Sequence, residues 1–294
     1  MVANNNKVWT IKEVLFWTSD YFKKNGIESP KFNAEMILSK ILDLSRVNLY
    51  LHYDDVLSTD KLATIKKYIK KRSEHYPLQY LLGETEFYGH KIMVEEGVLI
   101  PRPETEILVD SVVTYISGHK KNSWDILELG TGTAVIPISI INYFKNQKYT
   151  VNFMATDISP KALEISQRNL AKYDLDNIKL IKSDMFENIN NKFDIIISNP
   201  PYIEAENWTN LPPEIKEHEP KEALLAGEKG LEYYKLILEQ AKNYLKLNSR
   251  IFLEIGAEQR EDIINLVQNF EHEIIKITKD FNDRDRVVEI KVKE

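Results

Sequence analysis

From Trp124 onward the chain alternates short apolar runs with amphipathic stretches, and this alternation limits the fold more than any other feature. The runs are DILELG (125–130), TVNFMATD (150–157), NIKLIKSD (177–184), FDIIISNP (193–200), SRIFLEIG (249–256), EIIKITKD (273–280) and RVVEIKVK (286–293). Each is strand length and rich in β-branched residues, and most are separated by enough chain for a crossover helix. That spacing predicts an α/β domain: a parallel sheet with helices on both faces. The last two runs are too close for a crossover, so they are expected to pair as an antiparallel hairpin at one end.

The first eighty residues read differently. Thr10 and Glu13 form a capping box, apolar positions follow at Ile11, Val14, Leu15 and Phe22, and Gly26 suits the end of that helix. Ser29-Pro30 opens a second helix to about Leu44, and Ser58 or Thr59 opens a third that stops before Pro77. Such short helices need one another's packing. Next, GETEFYGHKIMVEEGVLIPRPETE, with Gly89 and Gly97, suggests a hairpin connector, and a helix follows Pro103 to about Ser117. The expected organisation is a helical domain over 1–82, a hairpin connector over 83–104 and the sheet domain over 105–294.

The formal net charge of −6 is unevenly spread. Residues 1–82 hold 13 Lys and Arg against 9 Asp and Glu, so the rest of the chain is strongly acidic and a poor surface for a phosphate backbone. The basic part centres on KLATIKKYIKKR (61–72), either a solvated helix face or a docking surface for an acidic or RNA-associated partner. The absence of cysteine excludes disulfides and thiolate metal sites, and no histidine pair has metal-ligand spacing, so no metal is expected. No apolar run is long enough for a membrane span, and the start lacks an apolar leader core. Together these favour the cytoplasm.

Ligands of open α/β sheets sit beyond the carboxyl ends of the strands. There the first run ends in Glu128-Leu129-Gly130-Thr131-Gly132-Thr133-Ala134, a glycine-rich turn that lets a ligand approach the backbone. A dinucleotide fingerprint needs a third glycine where this chain has Val135. The second run ends in Asp157-Ile158, an acid able to accept from ribose hydroxyls followed by an apolar residue for adenine. The third ends at Asp184, placed to meet an adenine amino group. Either acid could instead cap the following helix. The missing glycine favours S-adenosylmethionine (SAM) over NAD.

The fourth run breaks off in Asn199-Pro200-Pro201-Tyr202. Asn199 offers a side-chain carbonyl, Pro200 a main-chain carbonyl without an N–H, and Tyr202 a flat wall. Consecutive prolines aim those acceptors at little entropic cost. The set suits a planar –NH2 group, from an amide or an aromatic amine. An Asn-Pro turn after a buried strand would be the plainer explanation. Arg102 and Glu104, between prolines, either order a loop over the site or contact substrate, or else form a surface ion pair, and Glu128 either meets the cofactor's ammonium group or caps a turn.

On these segments the chain resembles the PrmC/HemK-type peptide chain release factor glutamine methyltransferases. The resemblance is carried by YPLQYLLGETEFYG, VLIPRPETE, LELGTGT, ATDISPKALEISQRN, SDMF, IIISNPPYI and EHEPKEALLAGEKGLEYY, nearly the whole length. It implies a Rossmann-like methyltransferase sheet with a small N-terminal helical domain, SAM along Gly130 to Ala134 with Asp157 on its ribose, and a glutamine side chain held by Asn199 to Tyr202. It also implies the Gly-Gly-Gln loop of bacterial class 1 release factors as substrate, docked with help from the N-terminal domain, with no nucleic acid as direct substrate. Four positions depart from the family's pattern: Ala134 for glycine, Met185 for an aromatic, and Ala226 and Lys229 in place of Gly and Asp in GGxDG. Two other readings stay open, adenine-N6 methylation of RNA or DNA and a SAM-binding docking protein without catalysis.

Overall fold

The computed structural model describes residues 8–293, so the leader reading, which rests on the first residues, lies largely outside them. The chain divides into two units, Met1–Gly83 with Pro213–His218, and Glu84–Pro212 with Glu219–Glu294.

The first unit is helical: α1 (Ile11–Lys24), α2 (Pro30–Leu42), α3 (Arg46–Leu51), α4 (Thr59–Ser73) and α5 (Leu78–Leu82). The α1 capping box is complete, with the Thr10 hydroxyl accepting from the Glu13 amide and the Glu13 carboxylate accepting from the Thr10 amide. The turns of α1, α2 and α4 bury Val14, Leu15, Phe22, Ile37, Leu38, Ile65 and Ile69 as one core. Ser29 precedes α2 in a left-handed conformation and makes no cap bond, so Pro30 alone marks that start. Within the basic stretch, Arg72 is buried, donating to Asn33 at 2.7 Å and pairing with Glu214 at 2.8 Å, while Lys66, Lys67 and Lys70 are exposed.

The second unit opens with the hairpin β1 (Glu84–Phe87) and β2 (His90–Met93), turned at Tyr88-Gly89. Then come α6 (Glu106–Ser117), β3 (Ser123–Leu129), α7 (Val135–Phe144), β4 (Thr150–Asp157), α8 (Pro160–Lys172), β5 (Ile178–Lys182) and β6 (Phe193–Ser198). After α9 (Pro213–His218), which groups with the first unit, the chain continues through α10 (Glu232–Gln240), β7 (Leu245–Glu254), α11 (Arg260–Asn269), β8 (Glu273–Lys279) and β9 (Asp285–Lys291).

Strands β3 to β9 form one seven-stranded sheet in the order β5-β4-β3-β6-β7-β9-β8. β9 alone runs opposite to the other six strands, slotted between β7 and β8. Its inward residues Val288 and Ile290 complete the core built on Leu127, Ile196, Ile251 and Leu253. Crossovers carry the chain outward from β3 to β5, then back to β6 on the other side of β3. The reversal opens a crevice between the ends of β3 and β6. Among the described residues no helix is long and apolar enough to cross a membrane.

Candidate functional site

The register across that crevice pairs Leu129 with Ser198. Consequently the turn starting at Gly130 and the segment starting at Asn199 leave adjacent strands side by side. The two segments that the sequence singled out for cofactor and amine are thus brought together by one pair of strand ends.

The glycine turn is braced from below. Gly130 and Gly132 have φ of +74° and +57°, and a Cβ at either would meet nothing within 4 Å, so the glycines are required by backbone conformation and leave open space for a ligand. Thr131 N donates to Thr156 O at 2.8 Å, Ser166 Oγ donates to Gly132 O at 2.8 Å, and the buried Asn169 donates to Thr133 O at 3.0 Å. Thr133 is itself buried. Ala134, also buried, takes φ +62°, a left-handed conformation that costs an alanine about 1–2 kcal/mol.

Two acids flank the turn. Asp157 ends β4 and accepts from Gly132 N and Ser159 N, each at 2.9 Å. Burial raises its pKa against those backbone hydrogen bonds. It braces the turn, while the capping of α8 falls to Ser159, whose hydroxyl accepts from Ala162 N. Ile158, next to it, is 54% exposed, an apolar side chain held out in the open. Glu128, next to last in β3, is 1% exposed; it accepts from the Thr131 hydroxyl through Oε2, while Oε1 has no hydrogen-bond partner among the described residues. Burial, with the nearby Asp157 charge, pushes its pKa up to about 8. Asp184 is exposed beyond β5, followed by half-buried Met185 at φ +44°.

Opposite lies the Asn199–Tyr202 segment. Asn199 Nδ2 donates to Thr105 Oγ1 at 3.1 Å, which leaves its Oδ1 as the acceptor. Pro200 is buried and Pro201 half-buried. The Tyr202 carbonyl accepts from Gln259 Nε2 at 3.2 Å, and burial pushes the Tyr202 phenol up to about 12. Ile203 exchanges bonds with the 224–226 segment, its N–H donating to Leu224 O and its carbonyl accepting from Ala226 N, both at 2.9 Å. Gly230 could not be otherwise, because a Cβ there would lie 2.4 Å from Tyr202 O. Ala226 is buried in this clamp and Lys229 is exposed.

Arg102 does not pair with Glu104. It reaches Glu219 at 2.5 Å, and the second Glu219 oxygen accepts from Ile100 N at 3.2 Å, so a buried carboxylate staples the IPRP segment. Glu104 sits close enough to add negative potential at Tyr202 and Glu254. Four residues of this site escaped the sequence reading: Thr105, Glu219, Glu254 and Gln259. The first two lie inside the quoted IPRPETE and EHEP, but nothing local distinguished them.

Family models match the chain in two parts, the PrmC N-terminal domain over residues 13–83 and the methyltransferase small domain over residues 104–215. A release factor glutamine methyltransferase of Bacillus anthracis is 35% identical over 285 residues, covering 95% of this chain and 98% of its own length. The chain belongs to the release factor glutamine methyltransferase family. A bifunctional methyltransferase of Rickettsia typhi is also 35% identical across 96% of this chain, which spans 57% of that relative's length. Among solved structures, the ribosomal protein L11 methylase of Lactobacillus delbrueckii subsp. bulgaricus aligns with a TM-score of 0.50 at 18% identity, over 69% of this chain and 86% of its own, a likeness of fold.

For a member of this family the residues present fit SAM. Glu128 Oε1 could meet its ammonium group, Asp157 its ribose hydroxyls, Ile158 and Met185 its adenine, and the open side of Gly130 and Gly132 its amino-acid chain.

Proposed function

We propose that this chain transfers a methyl group from SAM to the side-chain amide nitrogen of a protein glutamine, the glutamine of the Gly-Gly-Gln loop in bacterial class 1 release factors, in the cytoplasm. The observation that carries the reading is the Leu129–Ser198 register, which joins a cofactor turn to a two-acceptor slot at one crevice.

Bound SAM supplies an electrophilic methyl on a sulfonium that is itself a good leaving group. The chain's task is to make an amide nitrogen attack it. Amide resonance, with a rotation barrier of roughly 18–20 kcal/mol, keeps that lone pair in the carbonyl. Asn199 Oδ1 and the Pro200 carbonyl, gripping the two N–H bonds, raise electron density on nitrogen and favour pyramidal geometry. Tyr202 supplies a face for the amide plane, and the prolines hold the acceptors in line. No nucleophilic side chain is needed, and the released proton can leave to water.

Support for the release factor as substrate comes from the family; the exposed lysines of α4 offer a docking role for the helical unit. Tandem mass spectrometry of a release factor incubated with this protein and SAM tests the assignment. One methyl on the Gly-Gly-Gln glutamine is expected. Transfer to adenine of an RNA or DNA control, with none to the release factor, would overturn it.

A further inference from the structure

At the amino end of the sheet, away from the crevice, β6 and β7 fall out of step. Phe193 pairs with Leu245 and Ile195 with Arg250, so one residue of β6 spans the same gap as four residues of β7. The surplus, residues 246–249, bulges out of the ladder, with Asn248 at φ +58° and Leu247 74% exposed. Strand β9 does not cover the bulge, because its pairing with β7 runs only from Ile251 to Glu254. The result is a cleft of about 580 Å³ between residues 245–249 and the chain leaving β9.

Five lysines line it, Lys192, Lys242, Lys246, Lys291 and Lys293, against one carboxylate, Glu273. Lys246 is neutralised by Asp125 at 2.5 Å and Asp194 at 3.2 Å. The other four close no ion pair among the described residues, and neither does Glu273, although it sits opposite Lys291 in the β8–β9 register. Four like charges around one cleft repel one another, so concentrated negative charge is favoured there. A lysine ammonium is a point charge that suits phosphate oxygens in any orientation. Among the described residues no arginine fork for a planar carboxylate and no aromatic ring for a base lines the cleft. A nucleic-acid backbone would have to leave it across a strongly acidic domain.

We propose that this cleft is a second ligand site, which binds a short polyphosphate chain, free or carried by a nucleoside, through Lys192, Lys242, Lys291 and Lys293. The site is separate from the crevice: β7 lies between them, with Leu245 at the cleft and Glu254 at the carboxyl end of the sheet. Recognition is by charge, so the nucleoside contributes little.

Calorimetry of the full chain with tripolyphosphate, in low salt where screening is weak, is the test. Saturable binding at one site is expected. Lys242→Gln combined with Lys291→Gln should weaken it at least about tenfold, through lost charged hydrogen bonds. SAM affinity should stay within about twofold, because the two sites share no partners. Lys66→Gln combined with Lys67→Gln, on the exposed face of α4, serves as the control and should change tripolyphosphate binding less than about twofold. Should the first pair not fold, Lys192→Gln with Lys293→Gln takes its place. ATP should bind like tripolyphosphate and respond to the same variants. Absence of saturable binding, or equal loss with the α4 pair, would overturn the site. Tighter binding of single-stranded RNA or a polyglutamate peptide through the same lysines would overturn the polyphosphate assignment. None of these readouts depends on methyl transfer.

Discussion

At the scale of single residues, two side chains carry separable tasks, and variants should separate them. Asn199→Ala removes one of two acceptors, so turnover should drop about 10²–10³-fold while the SAM dissociation constant stays within about twofold. Methyl-transfer kinetics beside calorimetric binding check this. Glu128, neutral below about pH 8 in the free protein, must ionise to meet an ammonium group. SAM binding near pH 7 should therefore release a proton, read as a buffer-dependent binding enthalpy, and Glu128→Gln should abolish the release. What was legible at this scale was local. Asn-Pro-Pro-Tyr and the glycine turn carry their own backbone chemistry, so they stand out in a bare sequence. Thr105 serves Asn199 from 94 positions away, Gln259 serves Tyr202 from 57 and Glu219 serves Ile100 from 119. Such partners acquire meaning only when the sheet closes.

At the scale of elements, the clamp on the slot and the glycine turn respond differently to one methyl group. Gly230→Ala places a carbon 2.4 Å from the Tyr202 carbonyl, at φ +68°, and should cut turnover at least about tenfold by displacing the segment. Ala134→Gly is the reverse case. Relief of about 1–2 kcal/mol of left-handed strain is offset by about 0.8 kcal/mol for a lost buried methyl and by the flexibility of glycine. Because that methyl is fully buried, SAM affinity should change less than twofold and Tm by under about 3 °C, measured by calorimetry and thermal melting. All seven long strands could be read from their apolar periods. Helices α3 and α5 could not, because six and five residues give fewer than two turns of pattern. The expected hairpin of β8 and β9 is present, but the insertion of β9 beside β7 depends on Val288 and Ile290 meeting a core no local pattern reveals.

For the whole molecule, two buried acids set a pH dependence that runs against the usual direction for carboxylates. Glu128 and Glu254 titrate at about 8 and about 7 when folded, against about 4.5 when unfolded. Between those values the folded state binds more protons, so their contribution is full below about 4.5 and lost as pH rises through 7 to 8. The SAM-free protein should melt higher at pH 6 than at pH 8, and Glu128→Gln with Glu254→Gln should flatten the difference. Glu35, Asp125 and Asp280, held below their ordinary values by hydrogen-bonded partners, act oppositely only at lower pH. All of this serves one arrangement, an acidic sheet domain in which the turn after β3 and the segment after β6 leave paired strand ends at one crevice. The most direct test is intact-mass measurement of an unmethylated release factor after incubation with SAM and either wild-type protein or Asn199→Ala. The account predicts a one-methyl gain on the Gly-Gly-Gln glutamine with wild type and almost none with the variant, although both bind SAM. Equal gain with both would contradict it.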